Sequence, residues 1–386
     1  MTSEAWREKY LIFGAPDLGR EEYEEVVACL DSRWMGTGPR TARLERDFRD
    51  YIGAAATVAL NSCTAALQLS LQVLGIPPGS EVITSTMTFC ATANAIIHAG
   101  SVPVLVDCER DSMNIDIAAV ERAITPRTRA IVPVHFAGRP CDMKALMALA
   151  KKHDLFVVED CAHAIESTID GQHCGTFGDV GCFSFYATKN MTTVEGGMVT
   201  CRSQELADRV AILGLHGMSK DARKRYSDDG FVHYDVAQPG YKCNMTDLAA
   251  SLGIHQLARV EKNLQRRQQL WDYYLRELAD LPLILPAPPA PGTRHALHLF
   301  TCLVDDSRTS VTRDQLLRKL HLLKIGCGVH YRAVHVLDYY RRTYPHAGPF
   351  PHADFISERT FSIPLSPAVT DEDAADVVRA LRLSLA

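Results

Sequence analysis

A series of short apolar runs separated by helical patterns most strongly limits how this chain of 386 residues can fold. The runs are rich in β-branched and aromatic residues, recur between residues 57 and 200, and read TVAL, EVITS, VPVLVD, AIVPVHF, LFVVED, GCFSFY and GMVTC. Helical patterns such as AALQLSLQVLG and MKALMALAKKHD separate the first five runs. Strand–helix–strand units at this spacing predict a mostly parallel sheet, and the nearly continuous apolar runs indicate helices on both faces.

The C-terminal third of the chain has a different pattern. Residues 246–281 form one long helical pattern, which begins after the N-cap candidate Thr246. A proline-rich stretch follows at 282–292 and cannot continue a helix. Two strand patterns, HLFTCLVD and IGCGVHY, and two helical patterns occupy the remainder. We therefore expect an α/β protein with a large domain over 1–245, a connecting helix over 246–281 and a smaller α+β domain over 282–386.

The composition excludes several classes of protein. Lys and Arg number 41 against 46 Asp and Glu, so the formal charge is -5 and no net positive charge attracts nucleic acid. No apolar run approaches the roughly 20 residues that span a bilayer, and the charged N-terminus does not resemble a signal peptide. The 12 cysteines include no CxxC pair, which argues against a zinc site. We expect a cytoplasmic protein with reduced thiols that binds no metal, nucleic acid or membrane.

Candidate ligand-binding residues follow the predicted strands, because open α/β sheets bind ligands beyond the carboxyl ends of their strands. Cys63 and Thr64 stand at the start of a predicted helix. Free backbone N–H groups and the helix dipole suit a phosphate there, although the same sequence is also that of an ordinary helix N-cap. Phe89 follows the strand EVITS, where an aromatic ring can stack on a flat ligand or fill the core.

A carboxylate and an amine follow two further strands. Asp160 ends the strand LFVVED, and a buried carboxylate needs a cation or several hydrogen-bond donors nearby. Lys189 follows GCFSFY, and a desolvated lysine has a lowered pKa and can form a Schiff base with a carbonyl. Ser184, five residues earlier, can donate to an anion. Each residue alone has an ordinary structural interpretation, but the set is the one that pyridoxal 5'-phosphate (PLP) requires.

Ordered motifs along nearly the whole chain resemble a known family. They include GTGP, NSCTAALQLSL, STMTFCATANAIIHAG, VHFAGRPCDM, VVEDCAHAIES, FSFYATKN, EGGMVT, GYKCNMTDLAASLGIHQL and SERTFSIPLSP. This set resembles the DegT/DnrJ group of PLP-dependent sugar aminotransferases, of the fold-type I (aspartate aminotransferase) superfamily. The resemblance implies a PLP-dependent transferase with a mostly parallel central sheet in its large domain and a smaller α+β C-terminal domain.

The resemblance also implies a role for each cofactor-binding position. Lys189 would be the catalytic residue, bonded to PLP as a Schiff base and later moving the proton, and Asp160 would pair with the pyridine nitrogen. The other positions would contact the ring or the phosphate, and they are Phe89 on the ring face, His163 at the phenolic oxygen, Cys63, Thr64 and Ser184 at the phosphate, and Asn244 at the phosphate bound by the partner subunit. The active sites would thus be shared within a homodimer.

The substrates implied by the resemblance are a nucleotide-linked keto sugar and L-glutamate, with pyridoxamine 5'-phosphate as the form between the two half-reactions. The segment HGMSKDA at 216–222 resembles that of 4-aminotransferases, which favours a dTDP- or UDP-4-keto-6-deoxyhexose in amino-sugar or antibiotic biosynthesis. Candidate sugar contacts are His216, Lys220, His330, Tyr331 and Trp34, although Trp34 could equally anchor the N-terminal segment. The chain departs from the family pattern at Ala333, where proline is usual, and at Cys63, where many relatives have glycine.

Several alternatives share some of these motifs. A sugar 3-dehydrase of the same fold has histidine in place of the Schiff-base lysine, so Lys189 argues against that activity. A 3-keto sugar or keto-cyclitol aminotransferase would have the same cofactor motifs and stays open. A non-catalytic regulatory protein that binds PLP or a sugar nucleotide is disfavoured, because every catalytic position is filled. The spacing of four histidines that are close in sequence favours no metal site; they are His330, His335, His346 and His352.

Overall fold

The computed structural model describes residues 7–219, 233, 235–344 and 348–386. Seven strands of this part form the central sheet, and they are β1 (Ala56–Leu60), β2 (Glu81–Ser85), β3 (Val102–Val106), β4 (Thr128–Val132), β5 (Phe156–Asp160), β8 (Val180–Ser184) and β9 (Gly197–Cys201). Their spatial order is β1-β9-β8-β5-β4-β2-β3. The pairs from β8 to β3 are parallel, whereas β9 is antiparallel to both of its neighbours. The prediction of a mostly parallel central sheet is confirmed.

Helices pack on both faces of this sheet. Those that precede residue 214 are α1 (Arg20–Asp31), α2 (Pro39–Ile52), α3 (Cys63–Val73), α4 (Cys90–His98), α5 (Ile117–Ala123), α6 (Met143–Lys152) and α7 (Gln204–Leu213). Adjacent strand residues belong to different cores, since Val82 packs in the core that contains Leu67 of α3, and Ile83 packs in the core that contains Leu146 of α6. Burial on both faces explains why the strands are continuously apolar.

Two helices replace the single helix that the pattern predicts over residues 246–281. They are α8 (Asp247–Ala258) and α9 (Val260–Glu277), and they meet at Arg259, whose backbone has φ -116° and ψ 11°. The Arg259 guanidinium forms an ion pair with the buried Glu22 of α1 and also donates to the Asp17 carbonyl oxygen at 3.1 Å. The local periodicity of the sequence does not reveal these tertiary contacts, so it does not predict the break between the two helices.

A second core forms in the C-terminal part. A three-stranded antiparallel sheet contains β10 (Leu283–Ile284), β12 (Phe300–Val304) and β13 (Thr360–Ile363). The helices there are α10 (Arg313–Leu322), α11 (Asp338–Thr343), α12 (Pro351–Arg359) and α13 (Asp371–Leu385). One apolar cluster joins α9, this sheet, α10 and α13. A small sheet pairs β11 (Thr293–Arg294) with β6 (Thr168–Ile169), which also pairs with β7 (Gln172–His173). The domain boundaries at 245 and 281 stay a prediction.

The strand predicted for IGCGVHY at 325–331 does not form. Ile325 makes an isolated bridge with Leu11, and Gly328 makes one with Ser362. A Cβ atom at Gly326 would lie 2.5 Å from the Leu11 carbonyl oxygen. The backbone at Gly326 therefore lies directly against the backbone at Leu11, which leaves no room for a side chain. The edge position beside β12 is taken instead by β13, which the sequence pattern did not indicate.

None of the helices in the described ranges is both long enough and apolar enough to cross a lipid bilayer.

Candidate active site

A cavity of about 410 Å³ opens beyond the carboxyl ends of β5 and β8. Its lining includes nine of the residues that the sequence singled out, namely Cys63, Thr64, Phe89, Asp160, His163, Ser184, Lys189, His330 and Tyr331. These residues come from distant parts of the chain, and the sheet brings them together because β5 and β8 are neighbours. The arrangement is the one expected of a ligand site in an open α/β sheet.

One end of the cavity has the chemistry of a phosphate site. Ser62 is the N-cap of α3 and accepts a hydrogen bond from the Ala65 N–H at 3.1 Å. The N–H groups of Cys63 and Thr64 have no hydrogen-bond partner among the described residues, so they are available at the positive end of the helix dipole. The Cys63 thiol is directed to the Cys182 carbonyl oxygen, 3.5 Å away, and its bulk therefore leaves the backbone donors accessible.

The glycine pair of the EGGMVT motif lets β9 approach this helix start. A Cβ atom at Gly197 would lie 2.6 Å from the Cys63 nitrogen and 2.5 Å from the Ser62 carbonyl carbon. Any side chain at Gly197 would therefore displace the N-terminus of α3. Ser184, which pairs with Gly197 across β8 and β9, lines the same end of the cavity.

Asp160 is the last residue of β5 and is buried. Its Oδ2 accepts a hydrogen bond from the Thr92 hydroxyl at 2.8 Å, and its Oδ1 accepts one from the Ala162 N–H at 3.1 Å. Burial raises the pKa of this carboxyl above its ordinary value, and the Thr92 hydrogen bond partly opposes the rise. A carboxylate in this condition is stabilised by a cation, and a protonated pyridine nitrogen is a cation of suitable shape.

Lys189 lies five residues beyond Ser184, the last residue of β8, in a turn where its N–H donates to the Tyr186 carbonyl oxygen at 2.9 Å. Burial lowers the pKa of the Lys189 amine from 10.5 to about 8, while Cys63 and Asp160 oppose this shift. Roughly a tenth of the amine is therefore uncharged at pH 7, which is on the order of a hundred times the fraction for an exposed lysine. An uncharged amine is the form that attacks a carbonyl, so the residue suits a Schiff-base role.

His163 also faces the cavity, and its hydrogen bonds define its tautomer. Its Nδ1 accepts from the Ala137 N–H at 3.2 Å, and burial lowers the pKa of the ring well below its usual value. The ring is therefore neutral near pH 7 and carries its proton on Nε2, which lies 3.1 Å from the Tyr331 hydroxyl. The donor that a phenolic oxygen of PLP would need is thus present on the cavity side.

Two aromatic rings border the opening of the cavity. Phe89 is 57% exposed, and its ring centroid lies 5.8 Å from that of Tyr331. His330 stacks on Phe13 at 5.3 Å and bonds through Nδ1 to the Ser362 hydroxyl at 2.9 Å. An exposed ring at a cavity opening is consistent with stacking on a ligand and excludes the ordinary interpretation of Phe89 as a core residue.

Three predicted residues lie outside the cavity. The Asn244 amide donates to the Thr37 hydroxyl and accepts from the Lys242 amine, each at 2.6 Å. Trp34 is 41% exposed and donates through Nε1 to the Thr37 carbonyl oxygen at 3.3 Å. His216 is exposed in the turn after α7. Lys220 lies outside the described residues, as do the last two residues of the HGMSKDA segment, so its role stays a prediction.

The structure also reveals site residues that sequence reasoning missed. Thr92 holds Asp160, and its hydroxyl lies 2.8 Å from that of Thr88. Thr92 lies in the first turn of α4 and Thr88 directly precedes its N-cap Phe89, so the available signal was two threonines around a helix start that follows a buried strand. Tyr186 and Glu195 line the cavity as well, and they belong to the motifs FSFYATKN and EGGMVT.

Ala333, where the family usually has proline, and two of the four histidines make specific contacts away from the cavity. The Ala333 N–H donates to the Ser357 hydroxyl at 2.9 Å, a hydrogen bond that proline could not make. His335 lies between the Thr86 hydroxyl and the Asp354 carboxylate, and His352 bonds to the Cys108 carbonyl oxygen. His346 lies outside the described residues. Of these histidines, His330 is the one that borders the cavity within the described part of the chain.

Comparison with known proteins places this site in a family. The family model for DegT/DnrJ/EryC1/StrS aminotransferases matches residues 16–382. The chain belongs to this family. It is 46% identical over 379 residues to the spore coat polysaccharide biosynthesis protein SpsC of Bacillus subtilis (strain 168), covering 97% of each protein.

Solved structures agree with this assignment. The putative sugar aminotransferase Spr1654 from Streptococcus pneumoniae, in its PLP form, is 34% identical with a TM-score of 0.89, over 97% of this chain and 98% of that chain. DesI, solved in the presence of its TDP-sugar product, is 30% identical with a TM-score of 0.87, over 98% of this chain and 93% of that chain. The predictions of the family, the fold class, the enzyme class and the cofactor are confirmed.

This member of the DegT/DnrJ family is a PLP-dependent aminotransferase. PLP supplies an electrophilic carbon and an electron-withdrawing ring. The residues of the cavity fit the group, because the free N–H groups of α3, the buried Asp160 and the Lys189 amine, whose pKa is lowered to about 8, are the partners that its phosphate, ring nitrogen and aldehyde need. The individual role of each residue stays a prediction.

Proposed function

We propose that this aminotransferase transfers the amino group of L-glutamate to a nucleotide-linked keto sugar, most directly the 4-keto group of a dTDP- or UDP-4-keto-6-deoxyhexose. The observation that carries the proposal is the half-buried Lys189, whose amine has a lowered pKa, in the same cavity as Asp160. Its family relative DesI has a TDP-sugar as product, which supports a nucleotide-linked sugar as the acceptor. The HGMSKDA segment supports the 4-position.

In this proposal the residues of the chain divide the work between binding and proton transfer. Asp160, held by Thr92, keeps the ring nitrogen protonated, and the N–H groups at the start of α3 bind the phosphate. Lys189 would act as the proton carrier, taking a proton from the amino donor's carbon in the first half-reaction and delivering one to the sugar carbon in the second. A pKa of about 8 suits this exchange, since general acid–base catalysis is most effective when the pKa lies near the working pH.

The sugar would occupy the open end of the cavity. His330 and Tyr331 border that end, and the exposed Phe89 lies beside them. Trp34, His216 and Lys220 remain proposed contacts of the sugar nucleotide. Because Trp34 and His216 do not line the cavity of their own chain, we propose that they would act across a subunit boundary.

We propose that the functional unit is a homodimer in which Asn244 serves the partner subunit's cofactor. Asn244 lies in a separate depression of about 340 Å³ together with Val194 and Leu248. Val194 is 59% exposed and Leu248 is 37% exposed, and the nearby Met35 is also exposed. Apolar side chains grouped on a surface are typical of an interface between proteins, and a second copy would cover them.

A mixed dimer tests the shared site directly. Consider a dimer of one Lys189→Ala chain and one Asn244→Ala chain. If each site combines Lys189 of one chain with Asn244 of the other, one site carries both substitutions and the other site carries neither. We therefore expect roughly half of the wild-type cofactor retention and activity in this mixed dimer. If each chain used its own Asn244, both sites would be defective, and the mixed dimer would not exceed the Asn244→Ala homodimer.

We also propose a cytoplasmic location. All 12 cysteines are free thiols, and nine of them are buried. Free thiols in this number are typical of a reducing compartment.

Product analysis tests the proposed substrate. The purified enzyme with L-glutamate is given dTDP-4-keto-6-deoxyglucose, the corresponding UDP-linked 4-keto sugar, a 3-keto isomer or a keto-cyclitol, and the products are identified by mass spectrometry and NMR. We expect amination at C4 of a nucleotide-linked sugar, with formation of 2-oxoglutarate. Amination of the 3-keto sugar or the cyclitol alone would overturn the 4-keto proposal, and consumption of no acceptor would favour a binding protein without turnover.

A further inference from the structure

A chain of four side chains lies behind the cavity wall, and none of the four had been given a role from the sequence. Arg267 of α9 forms an ion pair with Glu166, in the segment that follows β5. Glu166 Oε2 accepts from the Asn190 amide at 2.7 Å, and Asn190 Oδ1 lies 2.9 Å from Nδ1 of His298. Arg267, Glu166 and His298 are all buried, so this network is shielded from water.

The direction of each hydrogen bond in the network is fixed by its partners. The Asn190 Nδ2 faces two acceptors, the Glu166 carboxylate at 2.7 Å and the Ala296 carbonyl oxygen at 3.0 Å. The Asn190 Oδ1 must therefore be the atom that faces His298, and it can only accept. It follows that His298 carries a proton on Nδ1.

Asn190 and His298 each adjoin a residue that lines the cavity. Asn190 is the residue that follows Lys189 in the chain, so its fixed side chain restrains the backbone that carries the amine. The His298 ring packs against His163 with ring centroids 4.4 Å apart and planes inclined by 35°. His163 in turn faces the cavity through its Nε2.

We propose that Asn190 and His298 are positioning residues. Together they fix the position of the Lys189 backbone relative to the His163 ring. The Glu166–Arg267 ion pair anchors Asn190 from α9, the helix that belongs to the C-terminal core. Nη1 of Arg267 has no hydrogen-bond partner among the described residues, so the geometry is set by the other contacts of the network. A buried ion pair adds little stability beyond that of an apolar replacement, but the hydrogen bonds from Asn190 to Glu166 and from His298 to Asn190 favour one geometry. Displacement of a catalytic group by about 1 Å can cost on the order of 10²-fold in rate, which gives such a network a function.

The test measures the half-reaction with L-glutamate and without a sugar acceptor. The inference rests on one part of the proposed function, namely that L-glutamate is the amino donor. His298→Phe keeps a ring beside His163 but removes the donor to Asn190, whereas His298→Asn keeps a donor at nearly the same place. We expect His298→Phe to slow the single-turnover rate by roughly 10- to 100-fold, with a change of less than about threefold in apparent glutamate affinity, and His298→Asn to recover most of the rate.

His295→Asn is the matched control. His295 is also a buried histidine, it packs against Trp271, and it lies outside the network. We expect this variant to keep its single-turnover rate within about threefold of wild type even if it unfolds at a lower temperature. Equal losses of rate in His298→Phe and His295→Asn would indicate a merely structural role and would overturn the proposal.

A second readout needs neither cofactor nor turnover. In the apoprotein labelled with ¹⁵N-histidine, we expect NMR to show His298 protonated at Nδ1 and His163 protonated at Nε2. Asn190→Ala should abolish the preference of His298 for that tautomer. A His298 proton on Nε2 in the wild-type apoprotein would contradict the network, even if His298→Phe failed to fold. A wild-type enzyme that does not react with L-glutamate would contradict the proposed donor instead, while the tautomers would still decide on the network.

Discussion

Two adjacent carboxylates of β5 lie on opposite faces of the sheet and differ in how many hydrogen bonds they accept. Glu159 accepts hydrogen bonds at 2.8 Å from three backbone N–H groups in the loop 175–178, and a further one from His135 at 3.0 Å. Asp160, one residue later, has only the Thr92 hydroxyl and one backbone N–H as donors. Both are buried, at 0% and 5% exposure, so burial does not distinguish them.

The difference shows how one strand supports both fold and function. The hydrogen-bonding capacity of Glu159 is used by the fold itself, and the carboxylate fastens the loop 175–178 to the sheet. Asp160 keeps part of its capacity unused, and burial raises the pKa of its carboxyl. A buried carboxylate with few donors is stabilised by a bound cation, which is why we assign the cofactor's ring nitrogen to Asp160 and a structural role to Glu159.

The largest effect should come from the amine that faces Asp160. We expect Lys189→Ala to lower the turnover rate by at least roughly 10⁴-fold, because both the nucleophile and the proton carrier are lost. The visible absorption band of the bound cofactor should disappear, while circular dichroism and the unfolding temperature stay close to those of wild type. An unchanged visible band in this variant would show that another residue bonds to the cofactor.

Asp160→Asn should have the next largest effect. The amide cannot hold the ring nitrogen protonated, so we expect turnover to fall by roughly 10²- to 10³-fold with cofactor still bound. Steady-state kinetics and a cofactor-binding titration measure the two quantities separately. Near-normal turnover would count against the assigned role of Asp160.

The pH dependence of cofactor attachment should report the lowered pKa of Lys189. Only the uncharged amine reacts, so the initial rate of PLP binding to the apoprotein should rise through a midpoint near pH 8 and then level off. An ordinary lysine would reach its midpoint near 10.5, and at pH 8 it would be roughly 10²-fold less reactive. The rate for a lysine peptide, divided by the uncharged fraction of that peptide's amine at each pH, gives the titration of PLP itself, and this factor is then removed from the protein's rate. A midpoint near 10 would mean that the amine is not desolvated.

Glu159→Gln should have the smallest effect on the rate and a clear effect on stability. Its amide would present a donor where the carboxylate now accepts from backbone N–H groups, which we expect to cost about 1–3 kcal/mol of unfolding free energy. Turnover of the folded variant should stay within about threefold of wild type. Chemical denaturation and kinetics on the same preparation measure both. A large loss of rate with unchanged stability would remove the distinction between Glu159 and Asp160.

Much of the fold could be predicted from the sequence because its strands are buried on both faces. Continuous apolar runs such as the one ending at Asp160 have no competing interpretation once helical patterns separate them. The prediction of a strand over IGCGVHY was wrong, because Gly326 lies directly against the Leu11 backbone and the His330 side chain occupies the space beside Gly328. The break at Arg259 depends on its pairing with Glu22, which lies more than 200 residues away in the sequence.

The candidate site was predictable where a residue follows a strand or starts a helix. Lys189, Asp160 and the start of α3 occupy such places, and the cavity contains all of them. Thr92 and His298 act through other side chains, at Asp160 and at Asn190, and a sequence alone does not show which partners the fold will bring within 3 Å. The same limit applies to Asn244 and Trp34, whose proposed roles depend on a second subunit.

The central claim is that Lys189 and Asp160 form a PLP site that moves an amino group from L-glutamate to a sugar. The most direct measurement is the absorption spectrum of the purified protein before and after L-glutamate, and again after dTDP-4-keto-6-deoxyglucose. The account predicts a visible band that L-glutamate abolishes and the keto sugar restores. Loss without restoration would move the search to 3-keto sugars or cyclitols. A spectrum that L-glutamate leaves unchanged, even with PLP added, would contradict the account.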